Sequence, residues 1–171
     1  MKRDPTALNS DALSQQKRMG VSFSTSKELI DIADSERPEL RFAVLGGQED
    51  RPLGESIVQA APQRCLDLTG RTTLPEMVEW VRLSELMVTN DTGPMHVAAA
   101  LGRPVVALFG PTEPRRTGPY GQLEHVLQLS LPCVPCLKPT CSYPQPMECL
   151  RALPLGSVID AVVKRLAGKA A

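Results

Sequence analysis

Aromatic residues are scarce in this 171-residue chain, with one Trp, two Tyr and three Phe making up 4% of it. Its core must therefore be aliphatic. Net charge is also missing. Nineteen Lys and Arg balance nineteen Asp and Glu, so the chain lacks the electrostatic footprint of nonspecific nucleic-acid binding. No apolar run approaches the roughly 18 residues of a membrane span, and no basic amphipathic helix marks a membrane-surface binder. The opening MKRDPTALNSDALSQQKRMG has no apolar segment of a secretory signal, so a cytoplasmic protein is expected. Internal repeats and low-complexity tracts are absent as well.

Hydrophobic residues make up 42% of the chain, enough to bury a core at this size. Proline is abundant at 16, and eleven of these fall between Pro94 and Pro154, so the second half is rich in stiff loops. Residues 1–20 are polar and aperiodic and read as a flexible lead-in. Residues 21–171 read as one domain. A short helix is expected over 26–35, then a buried strand in RFAVLGG (41–47) and a helix over 52–60. A strand over 65–68 follows, then a helix over 74–83 opened by a Thr73/Glu76 capping box. Next come a strand over 85–89, a helix over 94–101 ended by Gly102, and buried VVALF (105–109). A strand over 125–129, a loop over 131–150 and a last helix capped by Ser157 complete the order. Strands alternating with helices predict βαβ units and a doubly wound parallel sheet. Ligands of such sheets bind at the carboxyl ends of the strands.

Two successive strand ends lie in VTNDTGPMHVAAALGRPVVALFGPTEP (88–114). The first runs through Asn90, Asp91, Thr92 and Gly93 into a helix. A glycine there lets backbone approach a ligand, and free N–H groups at a positive helix end favour an anion such as phosphate. Thr92 supplies a hydroxyl and His96 an imidazole in the first turn. Asp91 would repel bare phosphate, so it must cap the helix, hold a sugar hydroxyl or bind a cation. A ligand with both a sugar and a diphosphate would use all four. At the second strand end Gly110 and Thr112 are expected to face the same crevice, with Arg115 and Arg116 beyond them either neutralising phosphate or simply solvated.

Four of the five cysteines crowd into Cys133-x2-Cys136-x4-Cys141-x7-Cys149. Four thiols with one CxxC pair suit a tetrahedral Zn site. An iron–sulfur cluster and four reduced thiols in a mobile loop are the alternatives. Cys65, inside a strand, reads as a small core residue.

NDTGPMHVAAALGRPVVALFGPTEPRRTGPYG resembles the signature of glycosyltransferase family 9, the ADP-heptose:lipopolysaccharide heptosyltransferases. LRFAVLGGQEDRPLGESI, CLDLTGRTTLPEMVEWV, and CVPCLKPTC with MECL extend the likeness over residues 26–168. The resemblance implies the C-terminal, donor-binding half of a GT-B enzyme, in which two Rossmann-like domains face each other. It implies that Asp91, Thr92, Gly93 and His96 contact the donor's phosphates and sugar. It also implies a diphosphate-binding lysine, Lys17 or the competing Lys27, and an acidic nucleotide contact at Glu49 or Asp50. The N-terminal domain, which holds the acceptor and supplies the catalytic carboxylate, has no counterpart here, so no catalytic residue is assigned. The implied function is transfer of a sugar from an ADP-activated donor to a lipopolysaccharide-core-like acceptor. Expected partners are the nucleotide sugar, a separate acceptor-binding half and, through it, a lipid-linked glycan at the inner face of the bacterial inner membrane. No catalytic cofactor is implied. An inactive nucleotide-sugar-binding fragment is one alternative. A nucleotide-sugar 2-epimerase is another, and FGPTEP and the cysteine segment speak against it.

Overall fold

A computed structural model describes residues 40–138 and 140–167. The helix expected over 26–35, together with Lys17 and Lys27, lies outside these residues.

All strand pairs are parallel. Strand β1 (Phe42–Val44) pairs with β2 (Cys65–Asp67), matching Ala43 to Leu66. In a second sheet β3 (Met87–Asn90), β4 (Val105–Phe109) and β5 (Val126–Gln128) lie in the order β3-β4-β5. The helices are α1 (Arg51–Ala60), α2 (Leu74–Leu83), α3 (Gly93–Ala100), the single turns α4 (Pro114–Thr117) and α5 (Glu148–Arg151), and α6 (Leu155–Ala167). The parallel α/β alternation read from the pattern is therefore present. Because parallel strands share a direction, the carboxyl ends of β3, β4 and β5 fall along one edge of their sheet.

Strand β4 organises the core. All five of its residues are buried, at 0–3% exposed, as a central parallel strand covered on both faces requires. Alternate residues face opposite ways. Val105, Ala107 and Phe109 pack with Val81 of α2 and with Met95 and Ala98 of α3. Val106 and Leu108 pack with Val158 of α6. Leu45, just past β1, reaches the first of these clusters.

Local signals explain the element ends. The Thr73 N–H donates to Glu76 Oε2 at 2.7 Å, and the Glu76 N–H returns to Thr73 Oγ1 at 3.5 Å, which starts α2 where the capping box predicts. Gly102 takes φ +65° just past α3, a left-handed conformation that glycine adopts without a Cβ penalty.

Helix α2 meets the core chiefly through Val81, which is buried, while Trp80 is exposed, so the aliphatic core expected of a chain poor in aromatics holds here. Two expectations need correction. Strand β1 is not buried throughout, because it lies in a two-stranded sheet and Ala43 stays exposed. Helix α6 opens at Leu155, directly after Pro154, and Ser157 lies exposed within it. Proline suits the start of a helix, where no N–H is required, and this moves the boundary ahead of the serine.

Candidate functional site

At the end of β3 the chain enters α3 through Asp91 and Thr92. Thr92 is the N-cap, extended at φ −144° and ψ 164°, and it gives α3 no side-chain cap bond. Its hydroxyl instead lies 3.1 Å from the Thr89 hydroxyl and within 3.4 Å of the Asn90 carbonyl. Asp91, 7% exposed, does not cap the helix either. Its Oδ2 accepts a 2.8 Å hydrogen bond from the Thr117 hydroxyl in α4. The two residues that sequence would most readily assign to capping are thus used elsewhere. Within the first turn of α3 Pro94 has no N–H and the Met95 N–H donates to the Thr92 carbonyl at 3.1 Å, which leaves the Gly93 N–H as the first-turn donor without a side-chain cap. A Cβ built on Gly93 would meet nothing within 4 Å, so the backbone there faces open space. His96, in the same first turn, is exposed. A helix start of this kind presents the Gly93 N–H and the positive end of the helix dipole to an anion.

The second strand end is organised differently. A Cβ on Gly110 would fall 2.8 Å from Leu150 Cγ and 3.2 Å from Cys149 Sγ. Gly110 is therefore glycine because α5 packs onto it, which corrects the expectation that it faces the crevice. Thr112 is half-buried. Gln128, the last residue of β5, donates to the Gly110 carbonyl at 2.9 Å and to the Thr112 carbonyl at 2.8 Å, which fixes the loop. Arg115 and Arg116 are exposed in α4, whose N-cap Glu113 accepts from the Arg115 N–H at 3.2 Å. The Thr117–Asp91 bond then ties α4 back to the end of β3, so the two strand ends form one connected structure. Neither Gln128 nor Thr117 was singled out in the sequence.

The ends of β1 and β2 are held by their own polar bonds. The Gly70 N–H donates to the Gly46 carbonyl at 2.9 Å, and Gln48 Nε2 donates to the Gly70 carbonyl at 2.9 Å. Asp50 Oδ2 accepts the Gly47 N–H at 2.8 Å, while Glu49 is exposed. Of the two acidic candidates, Glu49 is thus the one with no such turn contact.

Asp67, at the end of β2, accepts the Thr69 hydroxyl at 2.5 Å and the Thr69 N–H at 3.0 Å. The Thr69 hydroxyl bond leads in holding the Asp67 carboxyl below its ordinary value, with Arg71 and Arg51 adding a smaller pull and burial opposing. A carboxylate lowered in the folded state contributes stability above its unfolded pKa of about 3.9 and loses it as pH falls through the folded value. Thr69→Val keeps the shape and removes the hydroxyl. It is expected to cost about 1.5 kcal/mol at pH 7, the lower end for a hydrogen bond to a charged group. In paired urea melts the gap between variant and parent should shrink as pH drops below about 3.9. A gap independent of pH would show that the bond to the ionised carboxylate is not its source.

The four clustered cysteines share one small cavity with Pro111, Lys138 and Met147, and none forms a disulfide. Cys149 is buried, and burial pushes its thiol up, with Cys141, Cys133 and Cys136 adding to the rise. Among the described residues no three His, Cys, Asp or Glu side chains stand ready as a metal-ligand set. The thiols are thus gathered around one space without forming a completed shell. Cys65 is buried between β1 and α1, in the core role expected of it.

A family model described as glycosyltransferase family 9 (heptosyltransferase) matches residues 25–146. Lipooligosaccharide heptosyltransferase 2 of Campylobacter jejuni is 30% identical over 151 residues, which is 86% of this chain and 44% of that protein. Lipooligosaccharide heptosyltransferase 2 of Haemophilus influenzae is 42% identical over 91 residues, covering 51% of this chain and 26% of that protein. Among solved structures, the E. coli ADP-heptose lipopolysaccharide heptosyltransferase II superposes with a TM-score of 0.68 at 28% identity, covering 88% of this chain and 42% of that one. The family 9 glycosyltransferase of Veillonella parvula shares the fold, with a TM-score of 0.68 at 24% identity. The chain spans less than half the length of these relatives. By the extent of the family match, by the shared fold and by the motif from Asn90 to Pro114, the chain belongs to glycosyltransferase family 9.

Proposed function

We propose that this chain is the donor-binding half of a heptosyltransferase-type glycosyltransferase. It would hold an ADP-activated sugar whose sugar is transferred to a lipopolysaccharide-core-like acceptor. The observation that carries this reading is the start of α3, with an uncapped N–H on a glycine that faces open space, a buried carboxylate beside it and an exposed imidazole in the same first turn. The diphosphate would lie against the Gly93 N–H at the positive end of α3, with His96 as a side-chain donor. As the glycosidic bond to phosphate breaks, negative charge grows on the leaving diphosphate. Donors already aimed at that position stabilise it without reorganising. Asp91, held in orientation by Thr117, would accept a hydroxyl from the ribose or the sugar.

Transfer also needs a base to deprotonate the acceptor hydroxyl. In this reading that base and the acceptor site belong to an N-terminal half, on the same polypeptide or on a partner chain. Catalysis would need no cofactor. No described helix is long and apolar enough to cross a membrane. In this reading a lipid-linked acceptor on the cytoplasmic side supplies the contact with a membrane.

The first test is calorimetric titration of the chain with ADP and with an ADP-sugar. His96→Ala is expected to weaken binding by about 1–3 kcal/mol, the range for losing a charge-assisted contact. Unchanged affinity in that variant would remove His96 from the donor site, and no binding by the folded parent would overturn the reading. A second reading is donor binding without transfer. Sugar transfer by this chain to a lipid-linked acceptor, with no added partner, would exclude it.

A further inference from the structure

The cysteine cluster is used by none of the donor chemistry above, yet it touches the loop after β4 directly, and α4 ties that loop's far side to Asp91. Cys133, Cys136, Cys141 and Cys149 line a cavity of about 20 Å³, room for one water-sized body. Its wall includes Pro111, in the loop that follows β4. The Leu137 N–H donates to the Pro111 carbonyl at 2.9 Å, and Cys149 with Leu150 packs on Gly110.

Two further features point to a cluster built for a ligand. The Met147 N–H donates to Cys141 Sγ at 3.3 Å, which fixes that sulfur's place at the cavity. Leu137 and Met147 both hold positive φ, at 52° and 61°. Left-handed backbone at bulky residues persists only where the surroundings dictate it, and such strain gathers at functional sites. Here each strained residue flanks the cluster.

We propose that Cys133, Cys136, Cys141 and Cys149 bind one thiophilic metal ion, Zn2+ by ligand class, and that this site braces the Gly110–Thr112 loop beneath the donor. Four thiolates at about 2.3 Å form the closed tetrahedral shell of a structural Zn site. The four thiols would release their protons to solvent as the ion binds. The shell closes by movement within the loop before α5, where the described residues from 129 to 147 form no helix or strand. Without the ion this stretch has little of its own to hold it, since Met147 is its sole buried hydrophobic residue among those described.

The test uses the whole chain, reduced and stripped of metal, with no donor present, so it stands apart from the donor reading. Titration with Co2+ should give the absorption of tetrahedral thiolate-bound cobalt at one ion per chain, and stoichiometric Zn2+ should bleach it. Zn2+ should protect four thiols together from alkylation, counted by intact mass, and should slow amide exchange at Thr112 and Leu137. Cys136→Ser and Cys141→Ser should lose the cobalt absorption, while Cys65→Ser keeps it. The wild-type alkylation count holds even if a variant fails to fold. Uptake well below one ion per chain, an iron–sulfur chromophore in the isolated protein, or thiols that Zn2+ leaves reactive would each overturn the assignment. Metal binding with no slowing at Thr112 and Leu137 would refute the bracing role.

Discussion

Phe109→Ala is expected to cost about 3–5 kcal/mol, the range for truncating a fully buried phenylalanine. Domains of this kind are stable by about 5–15 kcal/mol, so the variant would lose a large part of its margin. Phe109 is fully buried at the carboxyl end of β4 and is the largest such side chain among the described residues. It belongs to the buried cluster of Val81, Met95, Ala98, Val105 and Ala107, against which Leu45 beyond β1 also packs. Among the described residues that cluster holds no second ring that could swing in to fill the space. Phe42 is the informative control. It lies half-buried on β1 with Arg64 over its ring at 5.7 Å, so Phe42→Ala should cost clearly less. Urea melts of both variants check this, and a loss under about 1.5 kcal/mol at Phe109 would mean that the cavity collapses and the core is softer than its packing indicates. Phe109 also immediately precedes Gly110. A relaxed strand end would therefore shift the donor loop, and donor affinity should fall along with stability.

Much of the scaffold is legible in the sequence because its causes are local. The Thr73/Glu76 box, the unbroken VVALF strand and the left-handed Gly102 each act within a few residues of themselves. The first strand end is legible for the same reason, since Asp91, Thr92, Gly93 and His96 are close neighbours in the chain. The polar bonds that hold the site are a different matter. Thr117 meets Asp91 across 26 residues, and Gln128 meets Gly110 and Thr112 across 18 and 16. Gln122, buried, donates to the Arg103 carbonyl across 19 residues and accepts the Val105 N–H across 17. Apart from Arg165, which donates to Gln122 Oε1 from α6, the partners of both glutamines are backbone atoms, which every residue carries, so no side-chain pattern reveals them. Ser157 failed as a helix cap because Pro154 offered an earlier start. The cysteines converge as their crowding suggests, but spacing alone does not show that Cys149 packs against Gly110 at the end of β4.

Gly93 and Gly110 separate ligand-facing backbone from packed backbone, and exchanging each for alanine should give opposite results. Both follow a parallel strand in the same signature, and in sequence both invite the reading that glycine is there for a ligand. A methyl on Gly93 enters open space. Gly93→Ala should therefore fold as well as the parent, or gain up to about 1 kcal/mol from reduced freedom in the unfolded chain. The same methyl would occupy the place proposed for the diphosphate. A steric intrusion of this size costs about 1–3 kcal/mol, roughly a 10- to 100-fold loss of ADP-sugar affinity. A methyl on Gly110 instead meets Leu150 Cγ at 2.8 Å and Cys149 Sγ at 3.2 Å, and Leu150 is held by its own helical turn. Gly110→Ala should lose about 1–3 kcal/mol of stability through overpacking, with any loss of donor affinity following from the displaced loop. Thermal melts and donor titrations of the two variants decide the matter. If Gly93→Ala bound donor as tightly as the parent, the diphosphate could not lie at the start of α3. If Gly110→Ala were as stable as the parent, α5 and its buried cysteine could not be packed against the end of β4, and the link between the thiol cluster and the donor loop would fail with it.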